Sequence, residues 1–203
     1  LRGGYAHASI LASTIFAGMV GSAVADAAGV GAIEIKSMKR VGYKPETAAA
    51  ITAASATIGP IIPPSLPMVI YGVTADVSIG RLFLAGFIPG LMMAASLMVM
   101  VTFVAKREGF PREKFVGFLG IWKAFVEGFF ALLAPLLLLG GMFTGVFTPT
   151  EAAAVAALYA LFLGMVVYRT LEWRMLPAIL IDTVETTGLV LAMVMAAGAL
   201  GWC

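Results

Sequence analysis

The stretch TIGPIIPPSLPMVIYG, residues 57–72, decides how this chain folds. It lies within a long apolar run and yet carries Pro60, Pro63, Pro64 and Pro67. Proline removes a backbone donor and its ring clashes with the preceding turn, at a cost of roughly 3 kcal/mol in a helix interior. The residue before each proline is also pushed towards extended backbone. On either side the pattern is helical. KPETAAAITAASATIG (44–59) reads as one half-helix ending at Gly59–Pro60, rich in the Ala, Ser and Thr that permit close helix packing. Ser65 is placed to cap a second half, LPMVIYGVT (66–74), with Pro67 tolerated in its first turn. The expected element is a helix broken in its middle.

Composition sets the surroundings of that break. Hydrophobic residues make up 61% of the chain and charged residues 12%, whereas a soluble domain carries about 25% charged. Such a chain cannot cover a water-facing surface and reads as an integral membrane protein in contact with lipid. A net charge of +2 gives no basis for a nucleic-acid partner. The single cysteine, Cys203, excludes an internal disulfide and a multi-cysteine metal site. The chain opens on Leu1 without a signal-peptide pattern and stops inside the apolar run TTGLVLAMVMAAGALGWC (186–203), so an internal fragment of a longer protein is expected.

Five further apolar stretches accompany the broken one: residues 3–33, 82–105, 121–142, 150–168 and 177–203. A spanning helix needs about 20 apolar residues, so the last four fit single passes. The first does not. As one straight helix it would run about 46 Å against a hydrocarbon core of about 30 Å. Folded in two it becomes a re-entrant hairpin, for which FAGMVGSAVADAAGVG (16–31) offers Gly18 and Gly21 as the turn and Ser22 as the cap of the outgoing half.

The basic residues agree with this. Lys36, Lys39, Arg40 and Lys44 follow the hairpin; Lys106, Arg107, Arg112 and Lys114, with Lys123 just beyond, follow stretch 82–105; Arg169 and Arg174 follow stretch 150–168. The intervening loops hold only Arg81. The alternation follows the positive-inside rule and assigns the basic loops to the cytoplasm. Arg2 joins that set only if the first stretch enters and leaves on one side.

A broken helix exposes carbonyls at the end of its first half and amides at the start of its second. Carbonyls suit sodium, a hard cation that wants oxygen ligands, and amides at a positive helix end can receive a carboxylate. Non-helical backbone at membrane depth is tolerated only where it is buried in protein or lines a watery cavity. Interrupted segments therefore point to a transporter's midplane site. Channels build pores from the same devices, and prolines can also simply kink a helix.

The segments FAGMVGSAVADAAGVGAIEIKSMKRVGYKPETAAAITAASATIGPIIPPSLPMVIYGV (16–73) and GGMFTGVFTPTEAAAVAALYAL (140–161) resemble the large membrane subunit of the tripartite ATP-independent periplasmic (TRAP) transporters. The likeness extends over essentially the whole chain, and GPIIPPS and FTPTEAAA are its specific strings. The resemblance implies an all-α integral protein of the bacterial inner membrane, an elevator-type secondary transporter built on inverted repeats. Residues 1–35 would form a re-entrant helical hairpin and 36–80 a discontinuous helix with its basic loop. Residues 81–145 would form two transmembrane helices, and 146–203 the truncated start of a second repeat. It further implies import of an organic acid (a C4-dicarboxylate, a sialic acid or a related carboxylate) with sodium as coupling ion and no other cofactor. A periplasmic substrate-binding protein and a small membrane subunit would be its partners. Cation candidates are Gly18, Gly21, Ser22, Asp26, Thr57, Gly59 and Pro60, mostly through backbone carbonyls. Substrate candidates are Ser22, Pro63, Pro64 and Ser65. The family usually reads Ser-Gly-Ser at the hairpin tip, where this chain has Val20-Gly21-Ser22, so position 20 offers only its backbone carbonyl. The second hairpin and second broken helix are expected beyond Cys203.

Single polar residues have plainer readings. Thr148, Pro149, Thr150 and Glu151 fit the first positions of a helix, with Glu151 closing a capping box. Asp26, on the outgoing arm, can hold a cation or fix the tip through neighbouring amides. His7, the only histidine, fits an interfacial or core polar residue better than a ligand. Glu127, Asp182 and Glu185 lie near segment ends, and Arg81 reads as an interfacial anchor. An intramembrane enzyme using Asp26 or Glu151 is disfavoured, because no carboxylate pair, metal-ligand spacing or serine–histidine constellation in the sequence is convincing.

Overall fold

The computed structural model describes residues 2–110 and 117–201; Arg112 and Lys114 of the second basic loop, and Cys203, lie outside the described residues. The chain divides into two compact units, Leu1–Ala156 and Ala157–Cys203. Regular structure is helical throughout both.

The first apolar stretch folds back on itself. Helix α1 (Gly4–Val20) stops at Gly21, whose φ of 61° lies in the left-handed region that glycine enters without steric cost. Ser22 is extended, and its hydroxyl accepts the Ala25 amide at 3.4 Å, starting α2 (Ala23–Ala28). After a joint at Gly29 the arm continues as α3 (Val30–Arg40), packed with α2 alongside α1. Gly18, expected to share in the turn, stays helical and buried in α1, because Gly21 alone supplies the positive φ. At 17 residues α1 is about 26 Å long, short of the hydrocarbon core.

Both ends of this hairpin meet at one end of the unit. A Cβ on Gly3 would lie 3.1 Å from Ala105 and 3.3 Å from Phe110, and Phe110 packs on Tyr43 with ring centroids 4.5 Å apart. The start of α1, the chain just after α3 and the end of α6 therefore gather together, and with them Arg2, the Lys36–Lys44 basics, Lys106 and Arg107. The core runs inward from there through Ala6, Ile10, Met38, Ala48, Ile51, Val101 and Ala105. His7 ties α1 to α6, its Nδ1 2.8 Å from the Gly3 carbonyl and its Nε2 3.1 Å from Thr102 Oγ1.

The proline-rich stretch breaks as its sequence demands. Helix α4 (Pro45–Ala56) ends three residues short of Gly59, because the Ile58 and Gly59 amides turn back to the Ser55 and Ala56 carbonyls and tighten the chain before Pro60. Ser65 then caps α5 (Leu66–Thr74), its hydroxyl accepting the Met68 amide at 3.3 Å. The peptide bond between Pro63 and Pro64 is cis. Helix α6 (Ile79–Arg107) holds this irregular segment from behind. Gly86 lies against the Ile61 carbonyl and Gly90 against the Ile62 side chain, with no room for a Cβ at either position.

Helix α7 (Gly117–Phe143) carries the aromatic row Trp122, Phe125, Phe129 and Phe130 and buries no residue. Its Pro135 rests 3.4 Å from where a Gly18 Cβ would be. Helix α8 (Pro149–Phe162) opens with the expected reciprocal cap: Glu151 Oε2 accepts the Thr148 amide at 2.8 Å, and Thr148 Oγ1 accepts the Glu151 amide at 3.3 Å. In the second unit a π-helical turn (Leu163–Val167) and a 3-10 turn (Trp173–Met175) lead into α9 (Leu176–Gly201). Four helical spans among the described residues are long and apolar enough to cross a membrane: Ile79–Arg107, Gly117–Phe143, Pro149–Val167 and Trp173–Ala196.

Gly86→Val forces a side chain into the Ile61 carbonyl and should destabilise the protein by about 1–3 kcal/mol. Gly128→Ala, on a face of α7 with nothing within 4 Å, should be neutral or mildly stabilising. Thermal melts of the complete permease in detergent check the contrast; equal melting temperatures for the two variants would remove the glycine notch from the account. Thr148→Ala should cost about 1 kcal/mol through the lost cap.

Candidate functional site

The hairpin tip sits on the break in the α4–α5 helix. A Cβ on Gly21 would strike the Pro64 carbonyl, so the tip can rest there only as glycine. The Leu66 amide donates to the Gly21 carbonyl at 3.4 Å, joining the start of α5 to the turn of the hairpin. On the other side, Gly59 brings its face to 3.4 Å from the Ser22 carbonyl carbon and 3.5 Å from its oxygen, measured from an ideal Cβ. Gly18 faces the Pro63 carbonyl at 4.0 Å by the same measure. Two pieces of non-helical backbone, separated by roughly forty residues of chain, thus cover one another.

Ser65 organises the junction. While it accepts the Met68 amide, it donates to the Pro60 carbonyl at 2.5 Å, closing the proline loop on itself, and the residue is 1% exposed. The carbonyls of Gly59, Pro63 and Pro64 take no backbone hydrogen bond among the described residues. Each helix that starts here, α2 at Ser22 and α5 at Ser65, aims its positive end at the junction. Acceptors for a cation and amide-bearing helix starts for an anion lie side by side.

Of the candidate residues, Gly18, Gly21, Ser22, Gly59, Pro63, Pro64 and Ser65 are brought together. Pro60 belongs to the same loop, but its carbonyl already receives the Ser65 hydroxyl. The Thr57 side chain is exposed and turned back to its own helix, donating to the Ala54 carbonyl at 2.6 Å. Asp26 leaves the tip: one turn into α2 it points into the interface with α1 and α4, 1% exposed, with neither carboxylate oxygen hydrogen-bonded.

That interface holds polar residues that sequence reasoning did not single out. Ser9 donates to Glu34 Oε2, Ser13 to Ser55 Oγ at 3.2 Å, and Ser55 to the Thr52 carbonyl at 3.0 Å. The signal was present as spacing: Ser9 and Ser13 are four residues apart on α1, Thr52 and Ser55 three apart on α4, each pair on one helix face. Glu127 pairs with Lys123 on the exposed surface of α7 at 3.9 Å, and Asp182 and Glu185 are exposed on α9.

Comparison with known proteins agrees with this architecture. Residues 1–203 match the family described as Tripartite ATP-independent periplasmic transporter, DctM component. The chain is 50% identical to the sialic acid TRAP transporter large permease protein SiaM of Vibrio cholerae, covering 100% of this chain and 47% of that protein. It is 42% identical to the 2,3-diketo-L-gulonate TRAP transporter large permease protein YiaN of Escherichia coli, over 98% of this chain and 47% of the relative. With the C4-dicarboxylate TRAP transporter large permease protein DctM of Vibrio cholerae it shares 42% identity, over 83% of this chain and 37% of the relative. The chain thus spans about half the length of the curated relatives it matches, or less. These relatives are named as transporter permeases, not enzymes, and family and spanning helices together make this a protein of the bacterial inner membrane. The chain belongs to the DctM component family of the tripartite ATP-independent periplasmic transporters.

Proposed function

We propose that the complete protein is the membrane subunit of a sodium-coupled secondary transporter that imports an organic acid delivered by a periplasmic binding protein, with a small membrane subunit beside it. The observation that carries this reading is the seat of the Gly21 tip on the Pro64–Ser65 break, where unbonded carbonyls and two helix starts lie together. Sodium is assigned to the carbonyl side, through the backbone of Gly18, Gly21, Ser22 and Gly59; Thr57 and Pro60 border it with their own bonds already made, and Asp26 lies away from the tip. The substrate carboxylate is assigned to the helix starts at Ser22 and Ser65 and the backbone of Pro63 and Pro64. Occupation of one side neutralises the repulsion or attraction felt on the other, which is how a cation and an anion sharing one small site become coupled. Substrate class follows from the relatives, whose names specify sialic acid, 2,3-diketo-L-gulonate and C4-dicarboxylates, all of them carboxylates.

In the same proposal α1–α6 move as one packed body carrying the site, the elevator arrangement, because the core that joins α1, α3, α4 and α6 is continuous.

The test is uptake of radiolabelled carboxylates into proteoliposomes holding the complete permease and its small subunit, with and without an inward sodium gradient and the binding protein. Uptake that needs both is expected; flux indifferent to both would replace the transporter reading with a channel or uniporter. In the same assay Gly21→Ala should abolish sodium-driven uptake, since its Cβ meets the Pro64 backbone at a positive φ. Ser65→Ala should lose its cap and its bond to the Pro60 carbonyl, about 1–2 kcal/mol of local stability, and keep reduced uptake. Wild-type sodium dependence in a Gly21→Leu plus Ser65→Ala double variant would dismiss the junction as the site.

A further inference from the structure

The seam between α1, α2–α3 and α4 holds oxygen atoms that the hairpin tip does not use. Both Asp26 carboxylate oxygens, Glu34 Oε1 and Thr52 Oγ1 are buried there without a hydrogen-bond partner. The serine donors close by are already committed: Ser9 to the other Glu34 oxygen, Ser13 to Ser55, and Ser55 to the α4 backbone. Neither acid forms an ion pair. A carboxylate removed from water is stabilised either by a compensating charge or by taking up a proton.

The geometry draws these groups around one point. Ser9 and Ser13 are successive turns of the same α1 face, about 6 Å apart. Ser9 meets Glu34 and Ser13 lies beside Asp26, so the two carboxylates are about one turn apart. Gly31 lies between them in sequence, and Thr52 packs into the space its missing side chain leaves, 2.5 Å from an ideal Cβ and next to the Asp26 backbone. Two carboxylates with hydroxyls suit a monovalent ion better than Ca²⁺, which takes 6–8 oxygen ligands. Among the described residues no group of three or more His, Cys, Asp or Glu could hold a metal.

We propose that Asp26 and Glu34, with the hydroxyls of Thr52 and Ser13, hold a sodium ion behind the hairpin tip, at a position separate from the tip's backbone carbonyls. The ion pins α2–α3 to α1 and α4, and so holds the arm that presents Ser22. Its place in transport rests on the sodium-coupled reading above; its existence as a binding site does not.

The experiment uses the complete permease with its partners and two variants, Glu34→Gln and the near-isosteric Thr52→Val. The first readout is the sodium midpoint of uptake at saturating substrate, the second the rise in melting temperature on replacing choline chloride with sodium chloride, EDTA being present throughout. Glu34→Gln should raise the sodium midpoint about tenfold or more, as loss of a ligand charge or its support does at metal sites, and shrink the sodium-dependent melting shift. Thr52→Val should do the same more mildly, and it decides the matter if Glu34→Gln fails to fold. Wild-type values of both readouts in both variants would overturn the site while leaving sodium-coupled uptake in place. Uptake without sodium dependence would instead end the coupling reading, and the melting shift alone would then decide whether the seam binds the ion.

Discussion

The fold depends on one constraint: backbone that has left helical geometry inside an apolar medium must find cover. An unsatisfied peptide group removed from water costs roughly 2–7 kcal/mol, and the four prolines leave several such groups between Ala56 and Leu66. Three elements supply the cover. The Gly21 tip closes the open side through its contact with Pro64 and its bond from Leu66. The notch at Gly86 and Gly90 of α6 receives Ile61 and Ile62 from behind. Ser65 ties the loop internally to Pro60. Each cover relies on the absence of a side chain or on a single small hydroxyl, since only these let two backbones approach so closely.

From this constraint the rest of the unit follows. Helix α1 has to stop short so that its tip lies level with the break. The outgoing arm must then return beside it, which brings both hairpin ends to the basic end of the molecule. The same closeness compels α1, α3 and α4 to use Ala, Ser and Gly where larger residues would hold them apart, and that composition leaves room for a polar seam inside an apolar bundle. The cover is incomplete: among the described residues the carbonyls of Gly59, Pro63 and Pro64 take no backbone hydrogen bond, and the proposed function rests on that.

Much of this was legible in the residues. The broken helix follows from proline chemistry, and its second half begins at Ser65 as the cap indicates. The hairpin follows from a stretch too long to span once, and the Glu151 box from its spacing alone. The first half of the broken helix ends at Ala56 instead of Gly59, because amides after the helix fold back before the proline acts. Gly18 and Gly21 look alike in sequence, and only packing against Pro135 and Pro64 distinguishes the one that stays helical from the one that turns. Asp26 could be named but not oriented. Glu34 was hidden among the charges of an amphipathic arm, because its importance lies in which helix it faces, a matter of tertiary packing.

A junction made chiefly of main chain has a consequence for how cargo preference can diversify. Peptide groups are common to every residue, so exchanging side chains around the tip and the break alters their shape while hardly touching the charges they present. Under the proposed function, the junction in this chain is then a generic receptacle for a carboxylate and its ion. Discrimination among acids falls to whatever surrounds the remainder of the molecule, where side chains can vary without disturbing the machinery that admits the carboxylate.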